Sequence, residues 1–348
     1  MNSHESEKIE SQLLPAGYKK GSKEDADVLV FNTCCIRNTA ENKVISHIGE
    51  TKRSGKIVCV VGCLAQKEGA KLKKKFPHIK IILGTHNIDK LGYALQQPKG
   101  LIEIIAEREV DAEYVGSKKY VNITYGCENY CSYCIVPYVR GKLISRDSAV
   151  VRKEFEKAIE SGGLIYLLGQ NVNSYLCPVT GKNFAQLLDE LSSLEGDYQV
   201  NFLSSHPKDF SDELIKVIAK NEKIERNIHL PVQSGCDRIL QEMNRGYTTQ
   251  EYKDKISKLR DKVNGVRITT DIICGFPTET EEEHMETLEF IRDVKFNAAF
   301  IFPYSRRTGT RADTMDGQLV ASTKKRRATE AIMLMRELTS VNREAKIK

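Results

Sequence analysis

Short β-branched runs alternate with helix-period stretches along most of this 348-residue chain, and that alternation leaves few folds open. "ADVLVFNTC" predicts a buried strand whose continuous apolar run is Val28, Leu29, Val30 and Phe31. "NTAENKVISHIGETKR" follows with helical periodicity, then a second strand, "KIVCVVGC", a second helix, "LAQKEGAKLKKKF", and a third strand, "IKIILG". Strands separated by helices of about ten residues predict a parallel sheet covered on both faces. Ligands on such sheets bind at the carboxyl ends of the strands. Cys34 and Cys63 each follow a strand, so they are expected close in space.

The stretch "QQPKGLIEIIAEREVDAEYVGSKK" carries charge without a period and reads as a linker, residues 99–118. From Tyr120 the alternation resumes. Strands are predicted in "YVNITYG", "GLIYLLGQN", "QVNFLSS", "NIHLPV", "GVRITTDIICG" and "AAFIFPYS". Helices fall between them, among them "SAVVRKEFEKAIESG", "FAQLLDELSSL" and "ETEEEHMETLEFIRDV". Six strand-then-helix repeats predict a barrel or partial barrel with its chemistry at the strand C-termini. Polar and glycine-proline residues collect there: Gln170 and Asn171, Ser204 to His206, Gln233, and Gly275 to Pro277. Residues 1–98 and 119–348 are thus expected to form two domains.

Composition narrows the class. No apolar run approaches the roughly 20 residues of a membrane span, and the polar start "MNSHESEKIE" is no secretory signal. Ten cysteines are too few for a disulfide scaffold of this length, so a cytoplasmic protein using cysteine for metal is expected. A net charge of +6 permits a nucleic-acid partner without demanding one.

"GCENYCSYCIVPYVRG" places Cys127, Cys131 and Cys134 within eight residues, as Cys-x3-Cys-x2-Cys with Tyr133 before the last. Structural zinc takes four protein ligands, commonly as two Cys-x2-Cys pairs. The next cysteine is Cys177 and the next histidine His206. A long-range fourth zinc ligand stays open, but three thiolates on one loop better suit a cubane iron–sulfur cluster whose fourth iron takes a substrate or cofactor.

The Cys-x3-Cys-x-aromatic-Cys loop at the end of a first barrel strand resembles the radical S-adenosylmethionine (SAM) superfamily. "DIICGFPTET" resembles that superfamily's glycine-proline segment beside the adenine of SAM, where Ile273, Gly275 and Pro277 fall; glycine admits close backbone approach. "VFNTCCIRNTAENKV", "VVGCLAQKEG", "LGTHNI", "LLGQNVNSY", "SSHPKDF", "HLPVQSG", "MNRGYT", "GFPTETEE" and "YSRRTGT" extend the resemblance over nearly the whole chain, to the methylthiotransferases. Within them the chain is most similar to the tRNA enzymes that place a methylthio group at C2 of N6-isopentenyladenosine beside the anticodon. The paralogues acting on threonylcarbamoyl-adenosine and on a ribosomal-protein aspartate differ at these strings.

The resemblance implies a flavodoxin-like α/β domain followed by a partial (β/α)6 radical SAM barrel. It implies a 4Fe-4S cluster on Cys127, Cys131 and Cys134 that binds SAM. It also implies an auxiliary 4Fe-4S cluster using Cys34 and Cys63. One SAM would methylate sulfur on the auxiliary cluster, and a second would give the 5′-deoxyadenosyl radical that takes hydrogen from C2. The C2–H bond is aromatic and unactivated, so a radical cofactor carries the hard step. Tyr133, Gln170, Asn171, Ser205, Gln233, Ile273, Gly275 and Pro277 are candidate SAM contacts. The implied partners are tRNA containing N6-isopentenyladenosine, an electron donor of flavodoxin or ferredoxin type, and a sulfur or iron–sulfur carrier. A monomer is expected.

Two departures from the family pattern are expected to matter. "MNSHESE" resembles the segment after the family's first cysteine, which would stand two residues before Met1. The auxiliary site is therefore expected to lack a ligand, the sheet its first strand, and this chain its full activity. Cys35 is the candidate substitute, yet neighbours on an extended strand point opposite ways, which argues against it. The family's C-terminal TRAM β-barrel is also expected to be absent, weakening the grip on tRNA phosphates. Lys324 to Arg327, Arg306, Arg307 and Arg311 could compensate or be plain surface charge. A threonylcarbamoyl-adenosine enzyme and a non-catalytic iron–sulfur or RNA-binding remnant remain the alternatives.

Of the other residues, Cys59 is expected in the core and Cys177, Cys236 and Cys274 in structural places. Tyr125 and Tyr133 either stack on a ligand or pack. His206 either serves its loop or the site. Arg140 and Arg146 are candidates for the SAM carboxylate or an RNA phosphate. Asn122 is expected to be an exposed strand residue.

Overall fold

The computed structural model describes residues 2–35, 38–97, 99–105 and 119–344. The chain divides into two compact units. One comprises Met1–Tyr120, Tyr125–Glu128 and Ile135–Arg146, the other Val121–Thr124, Asn129–Cys134 and Asp147–Lys348. Among the described residues no helix is long and apolar enough to cross a membrane.

The elements of the first unit begin with helix α1 (Asn2–Leu13), strand β1 (Val28–Thr33), helix α2 (Asn38–Glu50), strand β2 (Ile57–Gly62) and helix α3 (Cys63–Lys75). Strand β3 (Ile79–Leu83), helix α4 (Leu91–Leu95) and strand β4 (Leu101–Glu103) follow. The four strands pair in chain order, all parallel. Parallel neighbours require a crossover, and each helix between strands supplies one. Alternation along β2 sorts the core into two layers. Cys59 and Val61 pack with Ile9 of α1 and Leu91 and Ala94 of α4. Val58 and Val60 pack with Ile48 of α2 and Leu64 and Leu72 of α3. The sheet is thus covered on both faces.

Two differences from the sequence reading stand out. The stretch read as linker contributes β4, which pairs with β3 through Ile81–Leu101, Ile82–Ile102 and Leu83–Glu103. Its half-exposed edge position hides it from an apolar-run criterion. Residues 106–118 of that stretch lie outside the described residues. β1 is also an edge strand, and Val28 to Phe31 are only partly buried.

A short strand β5 (Tyr120–Asn122) comes next, then strand β6 (Thr124–Tyr125), helix α5 (Val136–Arg140) and strand β7 (Ile144–Ser145), with β6 and β7 pairing. The second unit continues through helix α6 (Ser148–Ile159), strand β8 (Gly163–Leu168), helix α7 (Phe184–Ser192), strand β9 (Tyr198–Phe202), helix α8 (Asp212–Lys220) and strand β10 (Asn227–His229). It ends with helices α9 (Asp237–Glu242) and α10 (Thr249–Lys262), strand β11 (Arg267–Cys274), helix α11 (Glu281–Val294), strand β12 (Ala298–Pro303) and helix α12 (Ala321–Glu344). The strands run in the orders β5-β8-β9 and β10-β11-β12. β8–β9, β10–β11 and β11–β12 are parallel, and a parallel bridge from Val200 to Ile224 continues past β9. This is the strand-and-helix order of a partial barrel. Parallel strands bring their carboxyl ends to one edge.

Local sequence explains the helix starts. "NFAQ", "TTQE" and "TEEE" form capping boxes at α7, α10 and α11, in which the cap side chain and the third residue satisfy each other's backbone N–H. The helices bury their apolar faces, with Phe155, Leu187, Leu191, Ile215, Tyr252 and Ile291 in one core against the strands.

Ion pairs join α11 to α12. Glu281 accepts from Arg326 at 2.7 Å and from Arg327 at 2.9 Å. Arg327, almost fully buried, also donates to Glu279 Oε2 at 2.8 Å. Arg326 and Arg327 are therefore committed to this clamp, which corrects their reading as free basic charge. The hydrogen bond from Arg326 comes first among the causes that hold Glu281 at about 2, below its ordinary 4.5. A depressed carboxylate stabilises the fold above its unfolded pKa and loses that contribution as pH falls through the folded value. Stability should therefore fall as pH drops from 4.5 to about 2. Glu281→Gln should be less stable than wild type above that window and flatter across it. Thermal unfolding midpoints of both proteins across the acid range check this.

Candidate active site

The sequence-predicted polar residues of the second unit stand just past β8, β9, β10 and β11. Asn171 is buried, and its Nδ2 donates to Ser174 Oγ at 2.5 Å and Asp209 Oδ2 at 2.6 Å. Ser174 donates to the same carboxylate at 2.9 Å. Asp209 anchors this corner and was not singled out in the sequence, where it lies in the quoted string "SSHPKDF". Gln170 is half-buried and Ser205 buried. Asn171 Oδ1 and Ser205 Oγ have no protein hydrogen-bond partner although both are buried. Buried polar atoms of this kind are normally satisfied, so the strand edge has capacity for a ligand bearing polar groups.

Gln233 is buried with φ of +78°, a conformation that strains a non-glycine residue. Its backbone is fixed between Asp271 and Ile273 by hydrogen bonds of 2.9 Å on either side. Ile273 is half-buried at the end of β11, and Gly275 and Pro277 are buried beyond it. The Gly275 N–H donates to Glu279 Oε2 at 2.7 Å, so the Arg327–Glu279 pair also holds this turn.

The cysteine loop starts at Gly126, whose φ is +67°. A Cβ there would lie 1.9 Å from the Lys142 carbonyl oxygen and 2.5 Å from that of Gly141. Only glycine fits, and the Cys127 N–H consequently reaches the Gly141 carbonyl at 3.2 Å. Cys127 and Cys134 are half-buried and Cys131 is buried. The Cys134 N–H donates to the Cys131 carbonyl at 2.8 Å, a tight turn between the last two cysteines.

Cys131 has polar company. Arg245 Nη1 lies 3.3 Å from its sulfur and 3.3 Å from Tyr133 Oη. His206 Nε2 lies 3.9 Å from the same sulfur. His206 Nδ1 accepts from the Lys208 N–H at 3.2 Å, which leaves the ring proton on Nε2, facing the thiol. Burial, and then the Arg245 charge, push His206 down to about 2, so the ring is neutral. His206 caps its own turn and also faces the cysteine loop. Arg245 was quoted only as part of "MNRGYT"; no spacing rule ties it to Cys131.

In the first unit, Thr33 draws the ends of β1 and β2 together. Its hydroxyl donates to the Val61 carbonyl at 2.6 Å and accepts from the Leu64 N–H at 3.2 Å. Cys34 and Cys35 therefore emerge beside Cys63. Cys34 is half-buried, while Cys35 is fully buried in a cluster with Cys63, Ile135 and Val139. The side chains of Cys35 and Arg140 both hydrogen-bond Cys63, contrary to the expectation that Cys35 points away. The hydrogen bond with Cys35 pulls the Cys63 thiol down to about 6 against burial, with the Arg140 charge adding to it. Cys35 is raised by the same bond, then by burial. Arg140 also pairs with Glu5 at 3.5 Å, so it serves these cysteines rather than a free anion.

Other expectations change as well. Asn122 is buried, 1% exposed, and not a surface residue. Tyr125 packs, with its Oη accepting from Lys8 Nζ at 3.1 Å. Cys59, Cys236 and Cys274 are buried as expected. Cys177 is buried among polar groups, accepting from the Ser148 and Thr180 N–H groups at 3.3 and 3.4 Å.

Comparison with known proteins follows the same division. The radical SAM superfamily profile matches residues 121–291, and the uncharacterized protein family UPF0004 matches residues 1–84. A tRNA-2-methylthio-N(6)-dimethylallyladenosine synthase of Fusobacterium nucleatum is 43% identical over 344 residues, covering 94% of this chain and 79% of the relative. The enzyme of that name from Pelotomaculum thermopropionicum is 39% identical over 368 residues, covering 100% and 82%. The chain belongs to the tRNA-2-methylthio-N(6)-dimethylallyladenosine synthase family of radical SAM proteins. The fold extends beyond this family. The cobalamin-dependent SAM radical enzyme OxsB, with aqua-cobalamin and SAM bound, superposes with a TM-score of 0.55 at 13% identity over 89% of this chain and 47% of that one.

Members of this synthase family are enzymes that transfer a sulfur-containing group and work with a 4Fe-4S cluster and SAM. The donors present fit both groups. Among the described residues no three His, Cys, Asp or Glu side chains converge as ligands to a single ion would. Thiolates bound to different irons of a cubane have no such requirement. The three cysteines supply sulfur ligands, and the open acceptors at Asn171 and Ser205 suit a polar cofactor.

The loop geometry makes Gly126→Ala informative. Left-handed strain costs about 1–3 kcal/mol, and the carbonyl clash adds to it. Gly265→Ala, with φ of +70° and nothing within 4 Å of its Cβ, carries the strain alone. Thermal unfolding should show Gly126→Ala less stable than Gly265→Ala, and iron content after anaerobic reconstitution should fall only in Gly126→Ala.

Proposed function

We propose that this chain methylthiolates tRNA at C2 of N6-isopentenyladenosine beside the anticodon, with two iron–sulfur clusters held in two domains, residues 1–98 and 119–348. The observation that carries the site is the three-cysteine loop with Cys131 against a buried guanidinium. The substrate rests on the 39–43% identity to synthases of that name.

Cys127, Cys131 and Cys134 would each bind one iron and leave the fourth open to SAM. When bound, the reduced cluster and SAM supply a 5′-deoxyadenosyl radical able to take hydrogen from an unactivated aromatic carbon. The protein's part is to bind, orient and exclude water. Asn171 and Ser205 offer buried polar atoms to the cofactor, and Gly275 to Pro277 let backbone approach it closely. Gln170, Gln233, Ile273 and Tyr133 complete that lining. Cys34 and Cys63 would hold the auxiliary cluster, with Arg140 balancing thiolate charge. A low-potential electron donor and a sulfur or iron–sulfur carrier complete the partners.

The test is anaerobic reconstitution with iron and sulfide, followed by SAM cleavage and tRNA assays. Alanine at Cys127, Cys131 or Cys134 should remove about four irons, abolish 5′-deoxyadenosine formation, and abolish methylthiolation. Alanine at Cys34 or Cys63 should spare SAM cleavage while methylthiolation fails. Zinc without iron in the wild-type chain, with His206 as its fourth ligand, would overturn the radical reading.

A further inference from the structure

Arg245 follows α9, and only 4% of its surface is exposed. Each edge of its guanidinium is engaged. Nε donates to Tyr247 Oη at 3.0 Å, Nη1 to Cys131 Sγ and to Tyr133 Oη, both at 3.3 Å, and Nη2 to the Pro231 carbonyl at 2.7 Å. Tyr247 Oη in turn donates to the Val232 carbonyl at 2.7 Å. The guanidinium plane is thereby locked from two sides, with Nη1 aimed at the sulfur.

A guanidinium does not give up its proton in a protein. Burying that charge without an anion is costly. The hydrogen-bond partners among the described residues are a carbonyl, two phenols and a sulfur, and none is a carboxylate. Of these, only Cys131 can carry a full negative charge at neutral pH, as a metal-bound thiolate.

We propose that Arg245 donates a hydrogen bond to the Cys131 thiolate of the bound cluster and thereby raises the cluster's reduction potential. The inference rests on the assignment of Cys131 as a cluster ligand. Reduction adds one electron, and so one negative charge, to the cluster and its thiolates, with no bond or proton transferred. The electron comes from a low-potential one-electron donor, dithionite in the test below. A fixed cation at a ligand sulfur stabilises the more negative reduced state more than the oxidised one, and low local polarity magnifies the difference. Arg245 is then a positioning and tuning residue, acting through Cys131.

The experiment uses the full chain, reconstituted anaerobically and kept free of SAM, so that no cofactor carboxylate competes for the guanidinium. A dithionite potentiometric titration followed by electron paramagnetic resonance gives the midpoint for wild type, Arg245→Gln and Arg245→Lys. The midpoint should move to more negative potential in Arg245→Gln, and less so in Arg245→Lys, which keeps the charge. Unchanged midpoints in variants that hold their iron would overturn the proposal. If the variants fail to load iron, the wild-type protein decides. Protein labelled with 15N only at arginine should show a 15N hyperfine coupling to the reduced cluster, and absence of that coupling would overturn the proposal. A wild-type chain with no cluster, or one whose cluster survives Cys131→Ala, would instead refute the ligand assignment beneath it.

Discussion

Parallel strands pair only if the chain crosses back between them, and each crossover returns it in the same direction. The consequence is one edge of each sheet that collects every strand's carboxyl end and the loop after it. Cys34, Cys35 and Cys63 meet because β1 and β2 are parallel neighbours in register, Thr33 opposite Gly62. Asn171, Ser205, Gln233 and Gly275 follow strands in the same way in the second unit. The candidate site residues lie on these loops, while the helices between the strands serve to cover the sheets. Little in the loops is regular structure, and their positions are set by hydrogen bonds such as those of Thr33, Gln233 and Glu279.

Charge placement supports the same account. Two arginines, Arg140 partly buried and Arg245 buried, face cysteines. Arg140 is shared between Glu5 and Cys63, whereas Arg245 meets only neutral oxygens and Cys131. The Arg140 charge beside Cys63 favours its thiolate, the form that binds metal. Neither arginine is placed to meet a phosphate from solvent. The helix clamp of Arg326 and Arg327 on Glu281 and Glu279 is separate, and its task is to hold α12 and the turn after β11.

Much of this was legible from residues alone. The apolar runs that became β2 (IVCVVG) and β8 (GLIYLL) are continuous, and burial in a sheet or barrel core leaves little other use for them. Three cysteines at fixed spacing on one loop gave the site its first residues. What was missed shares a cause: it depends on partners distant in sequence. β4 is a three-residue edge strand with half-exposed residues, recognisable only beside β3. Asn122 was expected to be an exposed strand residue, yet on β5 it is buried. Cys35 meets Cys63 beyond the end of β1 at Thr33, where strand pairing no longer dictates alternation. Arg245 lies 114 residues from Cys131, beyond any local pattern.

The central claim is that the Cys127–Cys134 loop holds a cluster with a coordination position open to SAM. The most direct test is the electron paramagnetic resonance spectrum of the reduced, reconstituted protein before and after SAM is added. The spectrum of the cluster should change on SAM addition, and the change should vanish in Cys131→Ala. A reduced cluster indifferent to saturating SAM would contradict the claim.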